Sequence, residues 1–336
     1  MRNMPVIALA VVMAVSGCGR LGANAGTAAS GDRAGQPDTN QVAQIEQIAT
    51  QEAQSPGATL DQVVAAIRAA AAVKTVPTGL AVPVSKATDD GPEAGWDGCL
   101  VDDDVSTGKD GCVYGDKQGT KTVVLYGDSH AGMWESAFDV AGKRTHTKVV
   151  LFAKPACAVP ELHFWDEATQ RKNTECDAYH AWATTAIAAL RPDMVVLTSL
   201  FTGPRDFAKK DITEAQWDAG LTVTINKVAS SGARVVVLGD MPYLEQSAPE
   251  CLAAHPTDVR ACARKAASAV NYDHDASEKK AAEAAGARYV AVVDWFCSDV
   301  CGPVVNDMVV YQNQYHITAA YSRYLSGVLA NGLGLG

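Results

Sequence analysis

The densest concentration of reactive side chains is "VVLYGDSHAGMWES" at residues 123–136, where Gly127, Asp128, Ser129 and His130 follow four strand-forming residues. What comes next favours a helix. A carboxyl, a hydroxyl and an imidazole at the tip of a buried strand suit three chemistries. Metal-assisted phosphoester hydrolysis would take Asp128 and His130 as two ligands and needs further Asp, Asn and His on other strand ends. A second Gly-Asp does follow a strand in "LGDMPY", but no Gly-Asn-His follows anywhere. Nucleophilic catalysis would take Ser129, exposed at a strand-to-helix turn, with its own N–H at the helix start stabilising an oxyanion. A purely structural turn would use Asp128 and Ser129 only to cap the helix.

A nucleophilic serine needs a base, because its hydroxyl is a poor nucleophile alone. Seven histidines are available. His130 directly follows Ser129 and is badly placed to face it, so it reads as a turn or substrate-side residue with Gly127 and Asp128. His146, His163, His180, His255 and His274 fall in helices or polar loops, where solvated or capping roles are expected. His316, in "VVYQNQYHITAAYSRYL", lies between the last apolar run and the final helix, which returns it to the edge that carries Ser129. Trp134, Trp182, Trp217 and Trp295 are spaced as core residues. Lys154, at a strand end, reads as a solvated lysine or as a contact for an anionic substrate.

These residues need a scaffold. Short aliphatic or β-branched runs near 121–127, 147–153, 193–199, 233–239 and 287–294 read as strands covered on both faces. Helical segments lie between them, the last spanning about 259–285. Five strands alternating with helices predict a three-layer α/β domain with a mainly parallel sheet, whose ligands sit at the carboxyl ends of the strands. The formal charge of −10 and the lack of a basic cluster argue against nucleic acid as a partner.

The amino-terminal residues predict the compartment. Arg2 precedes the apolar run "PVIALAVVMAV", too short to span a bilayer but suited to a signal peptide over residues 1–17. It ends in "VSGC", which resembles a bacterial lipobox, with cleavage before Cys18 and lipid on its thiol. The expected location is the outer face of the bacterial membrane, with membrane lipid as a partner through Cys18. Residues 18–57 have the composition of a flexible tether, within which "TNQVAQIEQIATQEA" can form a transient helix. Residues 58–120 read as an N-terminal helix and a cysteine-containing arm, and 121–332 as the α/β domain. Setting Cys18 aside leaves eight cysteines, an even number in an exported chain. They fall into local pairs: Cys99 with Cys112, Cys157 with Cys176, Cys251 with Cys262, Cys297 with Cys301. Zinc is the weaker reading, since "CSDVC" has no second matching pair.

"GDSH" with a late "HIT" resembles the SGNH hydrolase superfamily. More narrowly, the chain is similar to the SGNH domain fused to membrane acyltransferase-3 proteins. The similarity spans roughly residues 61–327 and includes "CVYGDKQGTKTVVLYGDSHAGMW", "KPAC" ahead of Cys176 and Trp182, "WFCSDVCGPVV" and "YQNQYHITAAYSRYL". It implies a flavodoxin-like sheet, a Ser129 nucleophile and a His316 base, with no metal or organic cofactor. It also implies acyl groups of cell-envelope glycans or glycolipids as substrate, and a membrane acyltransferase as a candidate partner. Two positions depart from the family pattern. The family's late D-x-x-H is here Asn313-Gln314-Tyr315-His316, so an amide stands where a carboxylate orients the imidazole; Asp307, Asp294 or a backbone carbonyl are substitutes to consider. The third strand lacks the Gly-x-Asn-Asp block, leaving Thr198 or Ser199 as candidate oxyanion donors. The expectation is a tethered serine esterase or O-acyltransferase using Ser129, His316 and Asn313. The alternative, motivated by Asn313 and by the missing acyltransferase domain, is a non-catalytic envelope lipoprotein that binds glycan or a partner protein.

Overall fold

The computed structural model describes residues 39–335, so the expected signal peptide and lipidated Cys18 fall outside the described residues. Among these residues six strands form the central sheet: β1 Val113–Gly115, β2 Lys121–Gly127, β3 Thr147–Ala153, β4 Met194–Thr198, β5 Arg234–Leu238 and β6 Arg288–Val290. Their spatial order is β1-β3-β2-β4-β5-β6, parallel throughout except for β1, which pairs antiparallel with β3 at the edge. The sheet therefore has one strand more than expected. Three residues inside a cysteine arm carry too little alternation to read as a strand. The run at 287–294 also yields less strand than expected, since pairing ends at Val290 and a 3₁₀ turn occupies Val293–Trp295.

The strand order explains where a site can form. From β2 the chain crosses one way to β3, then back past β2 to β4, so the connections diverge above the carboxyl ends of β2 and β4. That divergence opens the crevice in which ligands bind in parallel sheets. Register places Gly127 opposite both Ala153 and Thr198, so the loops after β2, β3 and β4 leave the sheet at one level.

Period-two alternation sends successive β2 side chains into two cores. Val123 and Leu125 pack with Trp134, Phe138 and Leu329 on one face; Val124 and Tyr126 pack with Tyr179, Trp217 and Ile225 on the other. The first face is covered by α2 Leu60–Ala70, α3 Ser129–Arg144, α7 Ala319–Tyr324 and α8 Ser326–Leu333. The second is covered by α4 Thr174–Leu190, α5 Glu214–Ala229 and α6 Tyr272–Ala284. Helix α3 is buried from His130 to Gly142, which fixes Ser129 at its amino end. Trp134, Trp217 and Trp295 are core residues, and the half-buried Trp182 packs on Phe152 and Tyr179. No helix among the described residues is long and apolar enough to cross a membrane.

Two sequence expectations change. Residues 39–53, expected as a transient helix within the tether, form a docked helix α1, Thr39–Ala53, with Ala49 buried and Glu52 within 3.3 Å of Arg323 Nε. Just beyond it, Arg144 Nε donates to the Ser55 carbonyl at 2.6 Å. The apolar residues of this segment are few, but they meet α3, so docking supplies what composition alone does not. The single helix expected over about 259–285 is broken into a 3₁₀ turn at Val259–Cys262, a strand Arg264–Lys265 paired with Val300–Cys301, a short helix Ala266–Ala269, and α6. Asn271 restarts the helix by accepting from the His274 N–H at 3.2 Å. The four expected cysteine pairs are all bonded.

Glu278, fully enclosed between α6 and α5, accepts a hydrogen bond from Trp217 Nε1 at 3.1 Å. Burial pushes its carboxyl up to about 8. The folded state thus favours the protonated acid, a contribution that is present below the unfolded pKa and lost as pH rises through about 8. Glu278→Gln keeps an acceptor for Trp217 without titrating. The expected result is a melting temperature that gains on the parent progressively from about pH 5 to about pH 9. A difference that is flat across that range contradicts it.

Candidate active site

The turn that presents Ser129 is built by its two predecessors. Gly127 lies flush against β4, where a Cβ would overlap the Thr198 carbonyl oxygen and approach the Ala131 Cβ to 3.0 Å. Asp128 is the N-cap of α3, with an extended backbone; its Oδ1 accepts from the His130 N–H at 2.8 Å. Its Oδ2 accepts from the Leu200 N–H at 2.9 Å. One carboxylate therefore clamps the β2–α3 turn to the loop leaving β4. Burial raises the Asp128 pKa, opposed by the neighbouring His130 charge and both N–H bonds. Ser129 is the first residue of α3, so its N–H has no carbonyl inside the helix and lies at the positive end of the helix dipole.

His316 arrives from a tight loop closed by the Tyr311–Ile317 bridge and by the Gln312 N–H on the His316 carbonyl at 2.9 Å. Its Nε2 is 2.9 Å from Ser129 Oγ, although 187 residues separate them. Its Nδ1 is 3.2 Å from Asn313 Oδ1. The same oxygen accepts from the Tyr315 and His316 N–H groups at 2.8 and 2.9 Å. Those two donors fix the amide with oxygen toward the ring, so Nδ1 carries the proton and Nε2 is free to accept one. Burial, then the charge of His130, pushes His316 down to about 3, leaving a neutral imidazole against the serine hydroxyl.

Several sequence readings are corrected by this geometry. His130, expected at the turn or substrate side, is wholly buried, with Nδ1 2.6 Å from Asp240 Oδ1. Both Asp128 oxygens and His130 Nδ1 are thus engaged by protein groups. Lys154 is buried rather than solvated, and its Nζ donates to the Asp102 and Asp103 carbonyls at 3.0 Å. Ser199 Oγ accepts from the Val159 N–H at 2.8 Å, while Thr198 Oγ1 is buried without a hydrogen-bond partner. Asp294 and Asp307 are exposed, so neither takes Asn313's place. His180 and His274 are buried, the former donating to the Ala158 carbonyl and the latter paired with Glu214 at 2.8 Å. Among the described residues, the one cluster with metal-ligand spacing is Cys157, Cys176 and His180, whose two sulfurs are bonded to each other.

Sequence reasoning noticed "LGDMPY" but assigned Asp240 no place. A signal was present: an acid directly after the strand two positions from β2 reaches the same crevice. For the turn itself, Gly127→Ala is expected to cost more than about 2 kcal/mol, since backbone on β4 must yield. Chemical denaturation measures it, and an unchanged midpoint would show that the close approach is not needed.

Relatives now bear on the chain. The family model for the SGNH domain fused to AT3 domains matches residues 98–331. No curated protein matches. Among solved structures, the periplasmic domain of a lipopolysaccharide acetyltransferase from Salmonella ser. Paratyphi A is similar, with a TM-score of 0.53 and 15% identity over 66% of this chain and 86% of that one. A variant of an acetyl-xylooligosaccharide esterase from Geobacillus aligns with a TM-score of 0.38 and 12% identity, covering 66% of this chain and 97% of that one. With its parallel sheet, its Gly-Asp-Ser-His turn and a family match across most of its length, the chain belongs to the family of SGNH domains fused to AT3 domains.

Proposed function

We propose that this protein is an extracytoplasmic serine esterase or O-acyltransferase, tethered to the membrane through lipid on Cys18 and acting on acyl groups of cell-envelope glycans or glycolipids. The observation that carries the chemistry is the 2.9 Å contact between Ser129 Oγ and the proton-accepting nitrogen of a neutral His316. His316 removes the hydroxyl proton as Oγ attacks the ester carbonyl, then returns it to the departing alcohol. The Ser129 N–H, at the head of a buried helix, faces the negative charge that develops on the carbonyl oxygen. Water or a sugar hydroxyl then resolves the acyl-enzyme, giving hydrolysis or transfer. The substrate class is supported by family membership and by the fold shared with a lipopolysaccharide acetyltransferase domain; a membrane acyltransferase is the partner that membership suggests.

Asn313 favours a second reading, a glycan- or protein-binding domain that kept the fold. An amide orients the ring but cannot offset the imidazolium charge. A serine-directed fluorophosphonate separates the two. Labelling of the parent is expected, abolished in Ser129→Ala and slowed about 10²- to 10⁴-fold in His316→Ala. A folded parent that does not label selects the binding protein.

A further inference from the structure

We propose that His130 and Asp240 form the electrostatic half of this site: they supply the negative charge that Asn313 lacks, and protonation of His130 switches the base off. This rests on the serine–histidine reading above for its catalytic consequence, and on geometry for its existence. The His130 ring stands edge-on to the His316 ring, with centroids 5.4 Å apart and planes at 67°. His130 is buried, its Nδ1 is on Asp240, and the Tyr315 backbone is its other hydrogen-bonding neighbour. Asp240 accepts from four donors: His130 Nδ1, the Met241 N–H at 2.8 Å, the Phe201 N–H at 3.1 Å and the Tyr243 hydroxyl. Four donors on two oxygens is the pattern of a carboxylate, which has no proton to give.

The groups facing His130 can be named from each side. Asp128 and Ser129 lie in its own turn, Asp240 and Tyr243 follow β5, and His316 comes from the 311–317 loop. No carboxylate touches His316. Burial pulls His130 downward, but the Asp240 charge and hydrogen bond, then Asp128 and the Tyr315 backbone, outweigh it and raise the net value above that of an ordinary histidine.

Two charge states follow. With His130 neutral, its Nδ1–H rests on Asp240 and the pair carries one negative charge. When the Ser129 O–H bond breaks and the His316 Nε2–H bond forms, the new imidazolium sees that charge. With His130 protonated, the pair is neutral and a positive ring stands beside His316, which opposes the same proton transfer. The base is competent only when His130 has lost its proton. The rate should therefore rise with pH through the His130 titration, not through that of His316. This couples two histidines that a serine-triad reading would treat separately.

The test is a ¹⁵N-histidine NMR titration of the full chain, alongside the pH dependence of fluorophosphonate labelling. In the parent, His130 is expected to titrate above the ordinary histidine value, and the His316 resonances to shift at the same midpoint while that ring stays neutral. Asp240→Asn should move the His130 midpoint down by about one unit or more. The acid limb of labelling should move with it, and the plateau rate should fall about tenfold to a hundredfold. Adding Asn313→Asp should restore the plateau without restoring the limb, a pattern that loss of packing does not produce. His130→Gln, which keeps a polar side chain in the buried site, should remove the acid limb and serves where Asp240→Asn fails to fold. An acid limb unmoved in both variants, or His316 resonances blind to the His130 titration, overturns the proposal. A parent that never labels, with the coupled titration intact, overturns the catalytic reading and keeps the electrostatic pair.

Discussion

Asp128 is the residue on which the site depends. Its two oxygens bind N–H groups from different loops, one in the turn after β2 and one in the loop after β4. Removing it would leave an uncapped helix and two loops free to part, where Ser129 must hold its position against a histidine from the far end of the chain. Gly127 makes the clamp feasible by letting the β2 backbone lie against the Thr198 carbonyl. The Ser129–His316 geometry is thus a consequence of how two parallel strands are allowed to end. Little of it resides in those two residues themselves.

The second consequence is electrical. Burial removes the water that would otherwise stabilise charge, so each ionisable group near Ser129 must find its partner inside the protein. His316 answers by remaining neutral, which suits a base. His130 answers by pairing with Asp240, and Asp240 by gathering donors from three segments. A carboxylate at position 313 would place charge directly on the working histidine. Here that oxygen belongs to an amide already holding two backbone N–H groups, and the Asp240 carboxylate is bonded to a second imidazole, His130, that stands edge-on to His316.

Much of this was legible in the sequence. The "VVLYGDSH" run shows a buried strand breaking into a helix, because aliphatic continuity gives way to Gly, Asp and Ser within three residues. His316 follows from a census of seven histidines and the return of the chain to one sheet edge. The cysteine pairs follow from parity and proximity. What was illegible depended on partners distant in sequence. Lys154 reads as a surface lysine until the carbonyls of Asp102 and Asp103 are seen to receive it. His130 reads as a neighbour of Ser129, whereas the helix turns it toward β5. The antiparallel β1 has too few apolar residues to declare itself, and α1 is legible as a helix but not as a docked one; β1 is held by β3 and α3, and α1 by α3.

The central claim is that Ser129 is acylated with His316 as its base. The most direct measurement is peptide mass mapping of the full chain after brief exposure to an activated acetyl ester and an acid quench. One acetyl group should be found on the peptide bearing Ser129 in the parent, and none on that peptide in His316→Ala. A folded parent that carries no acetyl group there, or carries it only on lysines or the amino terminus, would contradict the assignment.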